Sequence, residues 1–193
     1  TLSVRARVGY GGGDVSVGHG RVFFVEDAGR LYVQDLEAGA ARPLTPDFGH
    51  AAAPAVSRDN RWLVYVHTDA EIDRLAIVDT DGTYWPQHLV TGADFYMQPT
   101  WHPGGRLLAW IEWDHPQMPW DGSRLCLGQL KLPKDGLPQL ISSQPLAGTT
   151  DTAIFQPQFS PDGRFLAYVS DQSGYSELYL YNIENGEHIQ LTS

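Results

Sequence analysis

Positive charge is scarce in this 193-residue chain: 13 Lys and Arg stand against 23 Asp and Glu, a formal net charge of −10. Phosphate binding needs a basic surface, so nucleic acid is excluded as an expected partner. The acidic balance reads first as a solvated surface, and it also attracts a cationic group such as a peptide N-terminus. Cysteine is limited to Cys126, within Leu125-Cys126-Leu127. That excludes an internal disulfide and fits a reducing compartment. With no His or other base near it in sequence, Cys126 reads as a small core residue and not a nucleophile. No apolar run approaches the roughly 20 residues that span a bilayer, so no membrane partner is expected. A signal-peptide pattern and an initiator Met are also missing, and the start at Thr1 reads as a mature or excised segment.

The signatures of a reaction centre are missing too. No G-x-S-x-G nucleophile elbow occurs. The nearest phrase, Asp171-Gln172-Ser173-Gly174-Tyr175, lacks correctly placed glycines and reads as a turn. Gly9-Tyr10-Gly11-Gly12-Gly13 fails as a dinucleotide loop, because Asp14 follows and no helical pattern does. Asp79-Thr80-Asp81-Gly82 begins like a calcium loop, but its twelfth position is Val90, not Glu. The seven histidines show neither H-x-x-x-H nor H-x-H spacing. Paired carboxylates suited to a glycosidase or lyase site are not discernible. No catalytic residue, metal ligand or cofactor is therefore expected.

What the chain does have is turns and apolar strands. Apolar residues make up 42% and aromatics 11%, with 20 Gly and 13 Pro. This composition favours short strands joined by turns over long helices. One phrase recurs. Pro157-Gln158-Phe159-Ser160-Pro161-Asp162-Gly163 leads into Arg164-Phe165-Leu166-Ala167-Tyr168-Val169. It aligns with Pro99-Thr100-Trp101-His102-Pro103-Gly104-Gly105 before Arg106 to Ile111, and with Pro54-Ala55-Val56-Ser57-Arg58-Asp59-Asn60 before Arg61 to Val66. A fainter copy runs from Val15 through Gly20 to Val25.

Each copy reads as strand, tight turn and strand, the second strand apolar enough to be buried on both faces. A third strand follows at Leu31-Tyr32-Val33, Leu75 to Val78, Leu125-Cys126-Leu127 and Leu178 to Tyr181. A short fourth closes each unit at Pro43-Leu44-Thr45, His88 to Thr91, Gln139 to Ser142 and Ile189 to Thr192. The turn residues Gly20, Asn60, Gly105 and Gly163 are spaced by 40, 45 and 58 positions. Four strands per repeat at that spacing is the pattern of a β-propeller blade. A β-sandwich would not require the same phrase four times. The expectation is an all-β segment of four four-stranded antiparallel blades, over residues 14–46, 53–92, 98–143 and 156–193. The long third interval is assigned to an inserted loop, residues 113–122, and a polar stretch, residues 144–152.

The Pro-x-Phe-Ser-Pro-Asp-Gly phrase at Pro157 to Gly163 resembles the TolB-type propeller repeat. Three longer segments are similar to acylaminoacyl-peptidase and dipeptidyl-aminopeptidase-like members of the prolyl oligopeptidase family. They are Val4 to Gly13, Thr91-Gly92-Ala93-Asp94-Phe95-Tyr96, and Leu108-Ala109-Trp110-Ile111-Glu112-Trp113-Asp114-His115-Pro116-Gln117-Met118-Pro119-Trp120-Asp121-Gly122. Two departures stand out: Gly9 where Glu is common, and His102-Pro103-Gly104-Gly105 in place of Ser-Pro-Asp-Gly.

The resemblance implies part of a seven- or eight-bladed N-terminal propeller, in a parent whose α/β-hydrolase domain carries the Ser, Asp and His. That parent is implied to be a cytoplasmic prokaryotic serine peptidase that removes N-terminal residues from short peptides. The hydrolase domain and the peptide are then the expected partners. The alternative is a stand-alone TolB-like binding scaffold in the periplasm. A substrate or interdomain face is expected where residues 92–97 and 114–122 meet, presenting Asp94, Phe95, Tyr96, Trp113, Asp114, His115, Met118, Trp120 and Asp121. Turn capping is the plainer role for Asp114 and Asp121. Holding a substrate amine or an interdomain Arg, with Glu112, is the functional one. Because a partial ring leaves open edges, edge-to-edge self-association is also expected.

Overall fold

A computed structural model describes residues 2–7 and 13–193. Residues 8–12, most of the glycine-rich part of the Val4 to Gly13 segment, lie outside the described residues. Among the described residues, sixteen strands form four separate four-stranded antiparallel sheets, each ordered as the chain runs. Blade 1 comprises β1 (Val15–Gly18), β2 (Arg21–Val25), β3 (Leu31–Asp35) and β4 (Arg42–Pro43). Blade 2 comprises β5 (His50–Val56), β6 (Trp62–Asp69), β7 (Ile72–Asp79) and β8 (Gln87–Val90). Blade 3 comprises β9 (Phe95–Trp101), β10 (Leu107–Trp113), β11 (Arg124–Lys131) and β12 (Gln139–Ala147). Blade 4 comprises β13 (Ile154–Phe159), β14 (Phe165–Ser170), β15 (Glu177–Asn182) and β16 (His188–Gln190).

The first strands of successive blades lie side by side, β1 against β5, β5 against β9 and β9 against β13. They line a shared concavity with Ser16, Ala55, Thr100 and Gln158 on its wall. The sheets radiate from that concavity as propeller blades do, and the ring is open between blades 4 and 1.

Three cores fill the gaps between blades, and they explain the doubly apolar second strands. Along β6, Leu63 and Tyr65 pack with Phe23, Val25 and Leu31 of blade 1, whereas Trp62, Val64 and Val66 pack with Trp101, Leu108 and Trp110 of blade 3. Along β10, Ala109, Ile111 and Trp113 turn to Leu166 and Tyr168 of blade 4. Successive side chains on a strand point to opposite faces, so a sheet between two others needs apolar residues at every position. The end blades have one unpacked face each; Val15 and Val17 of β1 are 46% and 62% exposed.

The recurrent turn has a common wiring. In blade 4 the Ser160 hydroxyl donates to Asp162 (2.6 Å), Arg164 N–H donates to the same carboxylate, and Phe165 N–H donates to Ser160 Oγ. Ser57, Asp59, Arg61 and Trp62 repeat this in blade 2. In blade 3 the departure His102 takes over: its Nδ1 accepts Gly104 N–H (2.9 Å), and its Nε2 donates to Gly163 O (3.0 Å), tying the turns of blades 3 and 4 together. The turn residues Gly20, Asn60, Gly105 and Gly163 all have positive φ, between 56° and 75°. Upstream, β5, β9 and β13 each bulge at a residue of positive φ just before proline: Ala53-Pro54, Gln98-Pro99 and Gln156-Pro157. A bulge is where a strand tolerates a residue with no N–H to donate.

Several boundaries differ from the sequence expectation. The first strands begin ahead of their prolines, at His50, Phe95 and Ile154, so Phe95, Tyr96 and Met97 are strand and not loop. Trp113 ends β10 and is buried, not part of an inserted loop. Residues 144–147, Gln-Pro-Leu-Ala, extend β12, whose side chains face solvent along most of its length. In blade 1 the closing strand shrinks to Arg42–Pro43, with Leu44 N–H still bonded to Leu31 O. Among the described residues no helix is long and apolar enough to cross a membrane.

Candidate functional site

The cluster named by sequence assembles where the link between blades 2 and 3 meets the loop between β10 and β11. Asp94 and Asp114 clasp each other through backbone. Asp94 N–H donates to Asp114 Oδ1 (3.0 Å), and His115 N–H donates to Asp94 Oδ2 (2.9 Å). The Phe95 ring stacks on Trp113 at 5.2 Å between centroids and meets the His115 ring edge-on at 4.9 Å. Tyr96 is buried, and its hydroxyl accepts Ala93 N–H (2.8 Å). Burial pushes that hydroxyl up to about 12, so it remains protonated.

The far end of the loop is a local turn. Asp121 Oδ2 accepts Met118 N–H (3.1 Å), and Asp121 N–H donates back to Met118 O (2.9 Å). Asp121 thus caps its own turn, the plainer of its two expected roles. The His115–Pro116 peptide is cis. Met118 is half-buried, while the Trp120 ring stands 60% exposed. The structure therefore brings Asp94, Phe95, Tyr96, Trp113, Asp114 and His115 into one cluster. Met118, Trp120 and Asp121 belong to the neighbouring turn.

Arg124 was not legible as part of this site. It opens β11 directly across from Glu112 in the strand register. Its guanidinium donates to Asp114 Oδ2 (2.7 Å) and to Glu112 Oε1 (3.3 Å), while Trp110 Nε1 donates to Glu112 Oε2 (2.7 Å). The only signal was a cation directly ahead of the apolar run Leu125-Cys126-Leu127. Its effect is to occupy two of the carboxylates considered for a substrate amine or an arginine from elsewhere.

Burial pushes Asp114 up, but the Arg124 hydrogen bond, the Asp94 N–H and the Arg124 charge together hold its carboxyl below the ordinary value of 3.8. A carboxyl depressed in the fold adds stability above the unfolded value, and loses it as pH falls through the lowered folded value. Acid titration followed by backbone NMR should therefore release the Asp94 amide, which Asp114 Oδ1 accepts, below about pH 3.8. In Asp114→Asn that transition should vanish.

A cavity of about 200 Å³ lies beside this network, bounded by Asp114, His115, Arg124, Ser123 and the 149–150 turn. Ser123 seams blade 3 to blade 4: its N–H donates to Thr152 O (3.0 Å), and its Oγ accepts Ile154 N–H (2.9 Å). Among the described residues no group of three His, Cys, Asp or Glu is placed to hold a metal ion. Cys126 lies in the core between blades 2 and 3, where burial pushes its thiol up. The arrangement can hold an apposed polar surface and offer a ring at Trp120; it contains no nucleophile paired with a base.

No protein-family model matches the chain. Among solved structures it is similar to a puromycin-hydrolysing peptidase of Mycobacterium tuberculosis (25% identity, TM-score 0.81, over all of this chain and 32% of that one). It is also similar to a puromycin hydrolase (28% identity, TM-score 0.82, over 98% of this chain and 32% of that one). A putative TolB from Agrobacterium tumefaciens shares the fold at 14% identity and a TM-score of 0.67, over 94% of this chain and 67% of its own. The chain spans about a third of the length of the two peptidases. The resemblance carried by the sequence phrases is thus matched in three dimensions: the chain is similar to the propeller part of a prolyl oligopeptidase family peptidase, built from TolB-like blades.

Proposed function

We propose that this chain is a non-catalytic propeller segment of a serine exopeptidase that takes N-terminal residues from short peptides. In this reading the loop 114–122 and the Asp94 link face the hydrolase domain and help define a chamber that excludes large substrates. The observation that carries it is the match to two puromycin-hydrolysing enzymes over at least 98% of the chain at TM-scores above 0.8, with the chain filling only a third of each. Trp120 adds support: a large apolar ring held in the open by a capped turn suits a surface that another domain covers. The acylaminoacyl or dipeptidyl specificity and the cytoplasmic location belong to the same proposal. The TolB-like match supports the second reading, a stand-alone scaffold, through fold alone.

Two assays test the first reading. The 193-residue chain should not turn over an acyl-amino-acid chromogenic ester; turnover would show a centre within the blades. In the full-length parent, deleting residues 117–120 should loosen domain docking and raise activity on long peptides relative to short ones. Unchanged kinetics on both lengths would remove the gating role, and a parent reading frame that stops without a hydrolase domain would remove the peptidase.

A further inference from the structure

The outer end of the interface between blades 1 and 2 is not filled. The closing strand β4 has only two residues, where β12 of blade 3 has nine. The face of blade 2 that a longer β4 would cover is instead the wall of a cavity of about 310 Å³. That volume lies at the lower end of small-molecule sites. Ala51, Tyr65, His67 and Ala76 form its floor, with Phe48, Trp85 and His88 around it. Phe48 and Trp85 are 55% and 71% exposed, two large rings left at an opening.

The chemistry of the cavity is that of rings without charge. Among the described residues no Asp, Glu, Lys or Arg lines it. The His67 ring is centred 5.4 Å from Phe48, 5.8 Å from His88 and 6.1 Å from Tyr65. His67 is buried; its Nε2 donates to Phe48 O (3.2 Å), which leaves Nδ1 as an acceptor. That Nδ1 is sealed from water and has no hydrogen-bond partner. A buried acceptor with no donor carries a desolvation penalty that a bound donor relieves. Burial, then the Arg74 charge, lowers the His88 pKa, so its imidazole is neutral near pH 7.

We propose that this cavity binds a small uncharged planar aromatic molecule bearing one N–H or O–H donor, which packs on the His67 and His88 rings and donates to His67 Nδ1. Phe48, on the link between the blades, is the wall that yields to admit it. Trp85 closes over the outer edge of the ring. The site is separate from the Asp94 cluster and does not depend on the peptidase reading.

The test is titration of the 193-residue chain with indole, followed by amide NMR. Saturable shifts are expected at Phe48, Ala51, Ala76 and His88. 1-Methylindole, which lacks the donor, should bind about tenfold more weakly, the size of one unmade hydrogen bond. Benzoate should not bind. A Gly-Trp-Gly peptide distinguishes the sources: shifts equal to those of indole point to an aromatic side chain, and shifts with indole alone point to a free small molecule. Trp85→Ala, a change at an exposed residue, should weaken indole several-fold and leave the rest of the spectrum intact. His67→Phe should make indole and 1-methylindole equal. Equal affinities in the unaltered chain would overturn the donor pairing. Absence of saturable shifts at these residues up to the solubility limit of indole would overturn the site.

Discussion

Trp113→Ala should lower the unfolding free energy by about 3–5 kcal/mol, the range for removing a large buried ring. Domains of this kind are stable by only about 5–15 kcal/mol, so the loss is a large fraction of the whole. Trp113 is 1% exposed at the end of β10, stacked on Phe95 and packed in the core that joins blades 3 and 4. Its removal leaves a cavity in that core and takes away the ring stacked on Phe95, whose neighbours Asp94 and His115 hold the candidate site together. Urea denaturation measures the change. Trp120→Ala, five residues beyond His115 in sequence and 60% exposed, should stay within about 0.5 kcal/mol of the parent. If the two variants were equally stable, the stacked cluster would not be what anchors the site.

Gly148→Val should be about as damaging, for a different reason. Gly148 has φ +89°, a conformation that costs a side-chain-bearing residue roughly 1–2 kcal/mol. A Cβ there would also press into Ser123 O and lie 2.8 Å from the Ile154 side chain. Overpacking of that kind adds about 1–3 kcal/mol. Gly148 passes over the Ser123 seam, so the chain cannot move away without breaking bonds that attach blade 4. Gly174→Val separates the two costs: its φ is +91°, but a Cβ would meet nothing within 4 Å. It should lose only the conformational part. An equal loss in both variants would mean that the close crossing at Ser123 carries no weight.

The fold was legible because its signal is local and repeated: a turn whose Ser, Asp and Gly bond to one another, followed by a strand with no polar face. The site was legible only in part. Asp94 and Asp114 are short side chains at strand ends, and the alternation of blade loops places those ends on one side. Trp113 was misplaced because the strand continues past Ile111 through Glu112, a charge that suggests the strand has already stopped. That charge is accommodated by Arg124, twelve positions away across a hairpin, and pairing of that kind is set by register. The His67 cavity left no trace in the chain at all. It lies beside a strand too short to cover its neighbour, and its lining is gathered from residues 29, 45–51, 65–67, 76 and 85–88, which no single phrase of the sequence unites.

The two-sided strands have one last consequence. In a half-buried strand, a slip of one residue exposes the apolar set to water, so hydrophobicity itself guards the alignment. In β6 and β10 both sets are apolar, and a slip would exchange one greasy row for another. Alignment must then be enforced by parts that cannot shift by one. The Ser-Asp or His-Gly bonds in the turn and the proline kink within the first strand hold each hairpin of blades 2, 3 and 4 like pins through a hinge.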